Sequence, residues 1–207
     1  MSRLLIVGGG GFGREVYQAV MDSPRFREQH AVTSIAYLDD GEPQLLRAPV
    51  VGTIGGYVKL DGDIGLCAIG NPDARRRVVG RLSSKGLTFP AFIDDRAHVG
   101  DHVALSDGVI VCCGSVLTVD ISIGSHTHIN TRCTLGHDVV MGDFCTVSSQ
   151  CNFTGGVRVG DDAFFGTACT VIPGKSVGDG ARVGAGSVVI RNVKAQHTVF
   201  GNPAKAI

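Results

Sequence analysis

From Ile93 to Val189 an apolar residue stands at every sixth position, without a slip: Ile93, Val99, Leu105, Val111, Leu117, Ile123, Ile129, Leu135, Met141, Val147, Phe153, Val159, Phe165, Val171, Val177, Val183 and Val189. The next residue is often glycine, as at Gly100, Gly124, Gly136, Gly142, Gly160, Gly166, Gly178 and Gly184. The fourth residue on is small or β-branched, as at Val103, Cys133, Cys151, Ala163 and Ser187, with Lys175 the exception. Neither a helix nor a run of hairpins has this period, since hairpins alternate every two residues between turn signals. A hexapeptide period predicts a parallel β-helix, in which three hexapeptides close one triangular coil and residues eighteen apart lie one above another. The large apolar residue fills the interior, the small one sits beside it near a corner, and glycine serves positive φ or close backbone approach. The repeat's sixteen steps of six make about five coils.

Residues 1–90 carry a different pattern. Leu4–Val7 reads as a short buried strand, Gly8–Gly13 as a glycine-rich turn, and Arg14–Met21 as a helix burying Val16, Ala19 and Val20. Ser34–Leu38 reads as a second strand ending in Asp39-Asp40, and Gly65–Ile69 as a third ending in Gly70-Asn71. Asn71 caps a helix with Pro72 at its first position and Val78, Val79 and Leu82 facing inward; Leu87–Phe89 forms a last strand. Strands alternating with helices predict a small Rossmann-like parallel α/β domain. The chain therefore divides into an N-terminal domain, 1–90, and a β-helix domain with a C-terminal tail, 91–207.

Composition narrows the classes. Lys plus Arg and Asp plus Glu number 19 each in 207 residues, so no general attraction to nucleic acid or membrane is implied. No apolar run approaches twenty residues, and Met-Ser-Arg leads directly into a strand, which predicts no signal peptide or membrane span. The cysteines number seven, with no C-x-x-C, and Cys133, Cys145, Cys151 and Cys169 fall on the small inward column. They behave there as core residues, and a reducing cytoplasm is the expected compartment.

Gly8, Gly10 and Gly13 make a G-x-G-x-x-G turn between a strand and a helix, a context that lets bare backbone and a helix N-terminus meet a phosphate. Asp39 is placed to accept hydrogen bonds from a ribose or a base. The alternative use of these glycines is packing alone. A redox dinucleotide enzyme needs about twice the room, since fewer than ninety residues precede the coil. Arg75, Arg76, Arg77 and Arg81 read as a solvated helix face.

The coil carries His98, His102, His126, His128 and His137, and His197 follows it, but no carboxylate–His spacing predicts a metal site. His137 stands apart. It occupies the third place of its rung, where side chains point out over a coil edge, with Asp138 next to it. An imidazole held by a carboxylate suits a general base near neutral pH. Gly155-Gly156 lies one coil above and leaves room for a ligand beside the ring and a backbone N–H.

The stretch Asn130–Asp143, reading N-T-R-C-T-L-G-H-D-V-V-M-G-D, resembles the active-site segment of the hexapeptide-repeat acyltransferases. That family includes bacterial nucleotide-aminosugar N-acetyltransferases and sialic-acid O-acetyltransferase-like proteins. Gly201-Asn-Pro-Ala-Lys205 is similar to the family's G-x-P-A-K ending, and the glycine turn with Leu38-Asp39-Asp40 to its nucleotide-sugar domain. The resemblance covers nearly the whole chain. It implies a left-handed β-helix, a homotrimer with active sites between subunits, and acetyl-CoA as co-substrate without a metal. Ile110, Val116, Val140 and Phe164, apolar at the outward last place of their rungs, point independently to a partner surface.

Carried over by position, the resemblance implies His137 as general base, Asp138 as the group that raises its basicity, and Asn130 as a positioner of the acceptor. Gly155 offers its N–H to the thioester carbonyl. Thr146, Thr167 and Ala185 line the acetyl-CoA groove with it, and Gly10, Gly11, Phe12, Asp39, Asp40 and Gly70 hold the nucleotide sugar. Two places depart from the family. Phe12 stands where a histidine near the sugar is usual, and Thr146 where another histidine meets acetyl-CoA. The implied activity is N-acetylation of a nucleotide-linked 4-amino sugar by direct transfer. The alternatives are O-acetylation of sialic acid or another glycan sugar, a non-catalytic β-helix scaffold, and a zinc enzyme of the γ-carbonic-anhydrase kind.

Overall fold

The computed structural model describes all 207 residues, which form two compact units, Met1–Asp95 and Arg96–Ile207. The division falls a few residues beyond position 90.

In the first unit, β1 (Ser2–Val7) leads through the glycine turn into α1 (Gly11–Met21). After α2 (Pro24–Gln29) come β2 (Val32–Leu38), β3 (Val50–Gly52), β4 (Asp63–Cys67) and α3 (Pro72–Ser84). The four strands make one parallel sheet in the order β3-β2-β1-β4. Leu4, Leu5, Ile6 and Val7 are fully buried, as a strand covered on both faces requires. Val16 and Val20 of α1 and Val79 and Leu82 of α3 pack inward, while Ala19 and Val78 are half-buried. The Asn71 side chain caps α3 by accepting from the Ala74 N–H at 2.9 Å.

Two elements escape the sequence pattern. In α2 the only buried residue is Phe26, so no periodicity marks it. The three residues of β3 are all exposed at the sheet edge. The strand expected at Leu87–Phe89 is a single bridge, Ile64 to Thr88.

The second unit is a left-handed parallel β-helix. Its two- and three-residue strands stack at eighteen-residue intervals into three sheets, for example Ile110–His128–Thr146–Phe164–Arg182 on one face. A second face stacks His98–Val116–Thr134–Asn152–Thr170–Val188, and a third Ala104–Ser122–Val140–Arg158–Ser176. Every sixth residue from Val111 to Val189 is buried, each worth about 1.5–3 kcal/mol of transfer free energy. Ile93, Val99 and Leu105, at the start of the repeat, are half-buried. The coil ends on a shortened turn, Arg182 pairing with Thr198, followed by an antiparallel strand pair, Thr198–Phe200 with Lys205–Ala206.

Of the two uses foreseen for the rung glycines, close approach is the one realised. A Cβ at Gly136 would lie 2.9 Å from the Gly155 nitrogen, and one at Gly166 would lie 2.5 Å from the Ala185 nitrogen. Positive φ falls two residues later, at corners held more often by other residues than by glycine, including His126, Arg132 and Asp138.

The outward apolar column needs correction. Val140 is exposed and Val116 and Phe164 are half-buried, but Ile110 is fully buried, as is His128 above it. Strand alternation assigns a side of the sheet and not what covers that side. All seven cysteines are free thiols, and burial pushes Cys67 up to about 12.

Candidate active site

His137 sits on the corner that joins the second and third faces. Its backbone is clamped from both sides: the Asp138 N–H donates to the Val119 carbonyl at 3.3 Å, and the Gly156 N–H to the His137 carbonyl at 2.8 Å. Asp138 takes the positive-φ corner position, at φ 61°. This turns its carboxylate back on the preceding side chain, and His137 Nδ1 lies 2.7 Å from Asp138 Oδ2. Both side chains are about two-thirds exposed, at 67% and 66%. A carboxylate on Nδ1 holds the proton there and leaves Nε2 as the basic nitrogen.

Gly155 backs the ring. A Cβ at this position would stand 2.5 Å from both Cε1 and Nε2 of His137, so only glycine admits the imidazole where it is. The Gly155 carbonyl accepts from Gly174 at 3.0 Å, while no group of the protein takes the Gly155 N–H. A base, its orienting carboxylate and a spare backbone donor thus meet on one half-exposed corner.

Other predicted residues lie elsewhere in the same chain. Asn130 is on the corner between the first and second faces, its amide donating to the Val147 carbonyl at 2.9 Å. Thr167 and Ala185 are exposed on that same corner, further along the coil. Thr146 is on the first face, opposite the His137 corner, and at 3% exposure presents no open surface to a ligand. Within one chain, then, His137, Asp138 and Gly155 come together, and Asn130, Thr167 and Ala185 do not join them. His126 is buried and stacked on Phe144, with ring centroids 5.0 Å apart, and His128 is buried on the first face. No cluster of three His, Cys, Asp or Glu side chains is arranged to hold a metal ion.

The first unit brings the remaining residues together. The glycine turn, Asp39-Asp40 and Gly70 follow β1, β2 and β4, three neighbouring strands whose carboxyl ends form one edge. The glycines divide by purpose. Gly8 has φ 99°, a Cβ at Gly9 would meet Pro43 at 2.7 Å, and one at Gly13 would run into the Gly8 carbonyl. By contrast a Cβ at Gly10 or Gly70 would meet nothing within 4 Å, and one at Gly11 only the end of Arg14. Packing therefore explains Gly8, Gly9 and Gly13, whereas at Gly10, Gly11 and Gly70 there is room for a side chain that the fold does not fill.

Asp39 is occupied by the fold. Its carboxylate accepts from the Gly9 N–H at 2.6 Å and the Gly41 N–H at 2.7 Å, pinning the glycine turn to β2. Asp40 accepts from Ile54 N–H at 2.8 Å. Phe12 is half-buried at the start of α1. A cleft of about 620 Å³ runs along α1 between Arg14, Tyr17, Tyr37 and Arg47 and reaches the expected set only at Gly11.

One residue was misread from sequence. Arg75 is fully buried rather than solvated, and its guanidinium donates to the Ile69 carbonyl at 2.7 Å. A run of three arginines hides the one that turns inward, since only its helical phase, shared with Val79 and Leu82, distinguishes it.

Residues 3–82 match the PglD N-terminal domain, and residues 156–191 match the hexapeptide repeat of succinyl-transferase. The acetyltransferase domain of PglB from Neisseria gonorrhoeae FA1090 is 25% identical, with all of both chains covered and a TM-score of 0.92. PerB from Caulobacter crescentus, solved in complex with CoA and GDP-perosamine, is 30% identical over 100% of this chain and 98% of that one, with a TM-score of 0.87. WeeI from Acinetobacter baumannii AYE is 29% identical over the whole of both chains, with a TM-score of 0.89. Comparison with curated proteins finds no match. The chain belongs to the hexapeptide-repeat family of sugar acetyltransferases and is an acyltransferase.

Proposed function

We propose that the protein transfers the acetyl group of acetyl-CoA to the amino group of a nucleotide-linked amino sugar, with His137 as general base. The observation that carries this reading is the His137–Asp138 pair seated against bare Gly155. Nε2 removes a proton from the acceptor nitrogen as the nitrogen attacks the thioester carbon. The Gly155 N–H meets the oxyanion that develops on the carbonyl oxygen. The tetrahedral intermediate then collapses, the carbon–sulfur bond breaks, and the thiolate of CoA takes up the proton. No covalent enzyme intermediate forms. The thiols suit that course: Cys133, Cys145, Cys151 and Cys169 are fully buried in the coil interior, out of reach of a thioester.

The nucleotide is proposed to lie over Gly10, Gly11 and Gly70, the glycines that the fold itself does not require. PerB, which binds CoA and GDP-perosamine, supports a nucleotide-linked amino sugar as the acceptor class. A threefold assembly of chains accounts for the scattered groove residues. The His137 corner of one copy would face the Asn130, Thr167 and Ala185 corner of the next, with acetyl-CoA between them. Such an enzyme works where acetyl-CoA and nucleotide sugars are made, in the cytoplasm.

The test follows thiol release from acetyl-CoA with UDP-, dTDP- and GDP-linked amino sugars and with the same sugars lacking the nucleotide, products being weighed by mass spectrometry. Turnover confined to a nucleotide-linked amino sugar, with an added acetyl group on nitrogen, is the expected result. Equal turnover of the free sugar, or acetyl on oxygen, contradicts the reading.

A further inference from the structure

The turns that follow β1 and β4 touch: a Cβ at Gly8 would lie 3.2 Å from the Ile69 side chain. Beneath the second of them is Arg75, fully buried in the first turns of α3. Its Nη1 donates to the Ile69 carbonyl at 2.7 Å and, less closely, to the Gly70 carbonyl at 3.4 Å. A trans peptide carries its N–H opposite its C=O. Two carbonyls drawn toward a buried guanidinium therefore turn the amides that share their planes, Gly70 and Asn71, toward the exposed side of the turn. Both residues are exposed there, and Gly70 has open space where a side chain would be.

We propose that Arg75 is a positioning residue for substrate: it fixes the peptide planes of residues 69–71 so that their amides face the diphosphate of the nucleotide-linked sugar. The inference rests on the nucleotide-sugar reading above. After the adjoining strand β1, helix α1 is preceded by Gly10, a cap with no side-chain hydrogen bond, so its first amides face the same edge. Amides from two adjacent turns form an anion-binding concavity, and the guanidinium behind them adds positive charge under the phosphates. Both contacts come from one nitrogen, so lysine replaces arginine only in part, keeping a charge beneath the turn without the fixed planar geometry of the guanidinium.

Two sets of variants test this in the full-length enzyme. Arg75→Met and Arg75→Lys are compared with wild type for the KM of the best nucleotide-linked amino sugar, the KM of acetyl-CoA, kcat and melting temperature. Asn71→Pro is compared with Asn71→Ala. Both lose the side-chain cap, but only proline deletes the amide, and the Asn71 φ of −75° already suits it. The proposal predicts that Arg75→Met and Asn71→Pro raise the sugar KM about tenfold or more, as loss of charge-assisted hydrogen bonds does. Arg75→Lys falls between, Asn71→Ala raises the sugar KM at least about fivefold less than Asn71→Pro does, and the KM of acetyl-CoA and kcat hold. If Arg75→Met does not fold, the Asn71 pair and Arg75→Lys decide. An unchanged sugar KM with lowered melting temperature overturns the positioning role and leaves the nucleotide-sugar reading standing. Wild-type enzyme that turns over free sugar, and shows no heat of binding with UDP or GDP in calorimetry, overturns both.

Discussion

His137 and Gly155 fit each other as ring and gap: any side chain at position 155 would begin 2.5 Å from the imidazole Nε2. Nε2 is the nitrogen not held by Asp138, so the missing side chain at 155 is what leaves the basic nitrogen uncovered. Gly155→Ala is therefore expected to displace the ring and lower kcat/KM by about 10²-fold, the scale of a lost general base or oxyanion donor. Gly155 is not at positive φ, so the variant should melt close to wild type. Steady-state kinetics beside a thermal melt checks both, and a fully active alanine variant would contradict the geometry.

The glycine turn predicts a contrast within a few residues. A Cβ at Gly13 collides with the Gly8 carbonyl, whereas one at Gly10 meets nothing. Gly13→Ala should lower stability by about 1–3 kcal/mol, as overpacking does. Gly10→Ala should keep the fold and raise the KM of the nucleotide-linked substrate. Denaturant melts and kinetics on the two proteins separate the roles, and the reverse assignment would refute them.

Asp63 ties β4 to β1. Its carboxylate accepts two bonds from Arg3 at 2.9 Å each, one from the Tyr57 hydroxyl at 3.0 Å and one from the Leu60 N–H at 3.1 Å. Burial acts to raise its pKa, but Arg3 and the other donors together hold it below the ordinary carboxylate range. A depressed folded pKa means stability that is present above the unfolded value, about 4, and lost as pH falls through the folded one. Asp63→Asn should thus melt lower than wild type at pH 7, with the gap closing on acidification toward pH 3. A gap that does not change with pH would contradict this.

The proposed assembly makes a prediction that mixing tests. His137→Ala destroys the base and Thr167→Arg blocks the groove, each inactive alone. If a site takes its base from one copy and its groove from the next, random co-assembly restores about a quarter of the sites. Purified mixed oligomers that stay inactive would place the whole site in one chain.

The β-helix was legible because its register is local: each sixth side chain points inward whatever the rest of the chain does, and Leu135 and Phe153 are buried as their positions demand. The corner pair His137–Asp138 was legible for the same reason, since residues eighteen apart stack and the next coil supplies Gly155. What covers an outward position is not local, and so Ile110 and Thr146 proved buried. Arg75 was missed because a charged residue is ordinarily solvated, whereas here the carbonyls of Ile69 and Gly70 help to make its burial tolerable. Asp39 kept its place but not its freedom, its oxygens being engaged by backbone amides of its own turn.

The most direct measurement compares wild type and His137→Ala with the same acceptor at saturating acetyl-CoA. The account predicts a kcat lower by about 10²–10⁴-fold, the KM of acetyl-CoA within about twofold, and an unchanged melting profile. A folded His137→Ala enzyme that keeps wild-type turnover would contradict it.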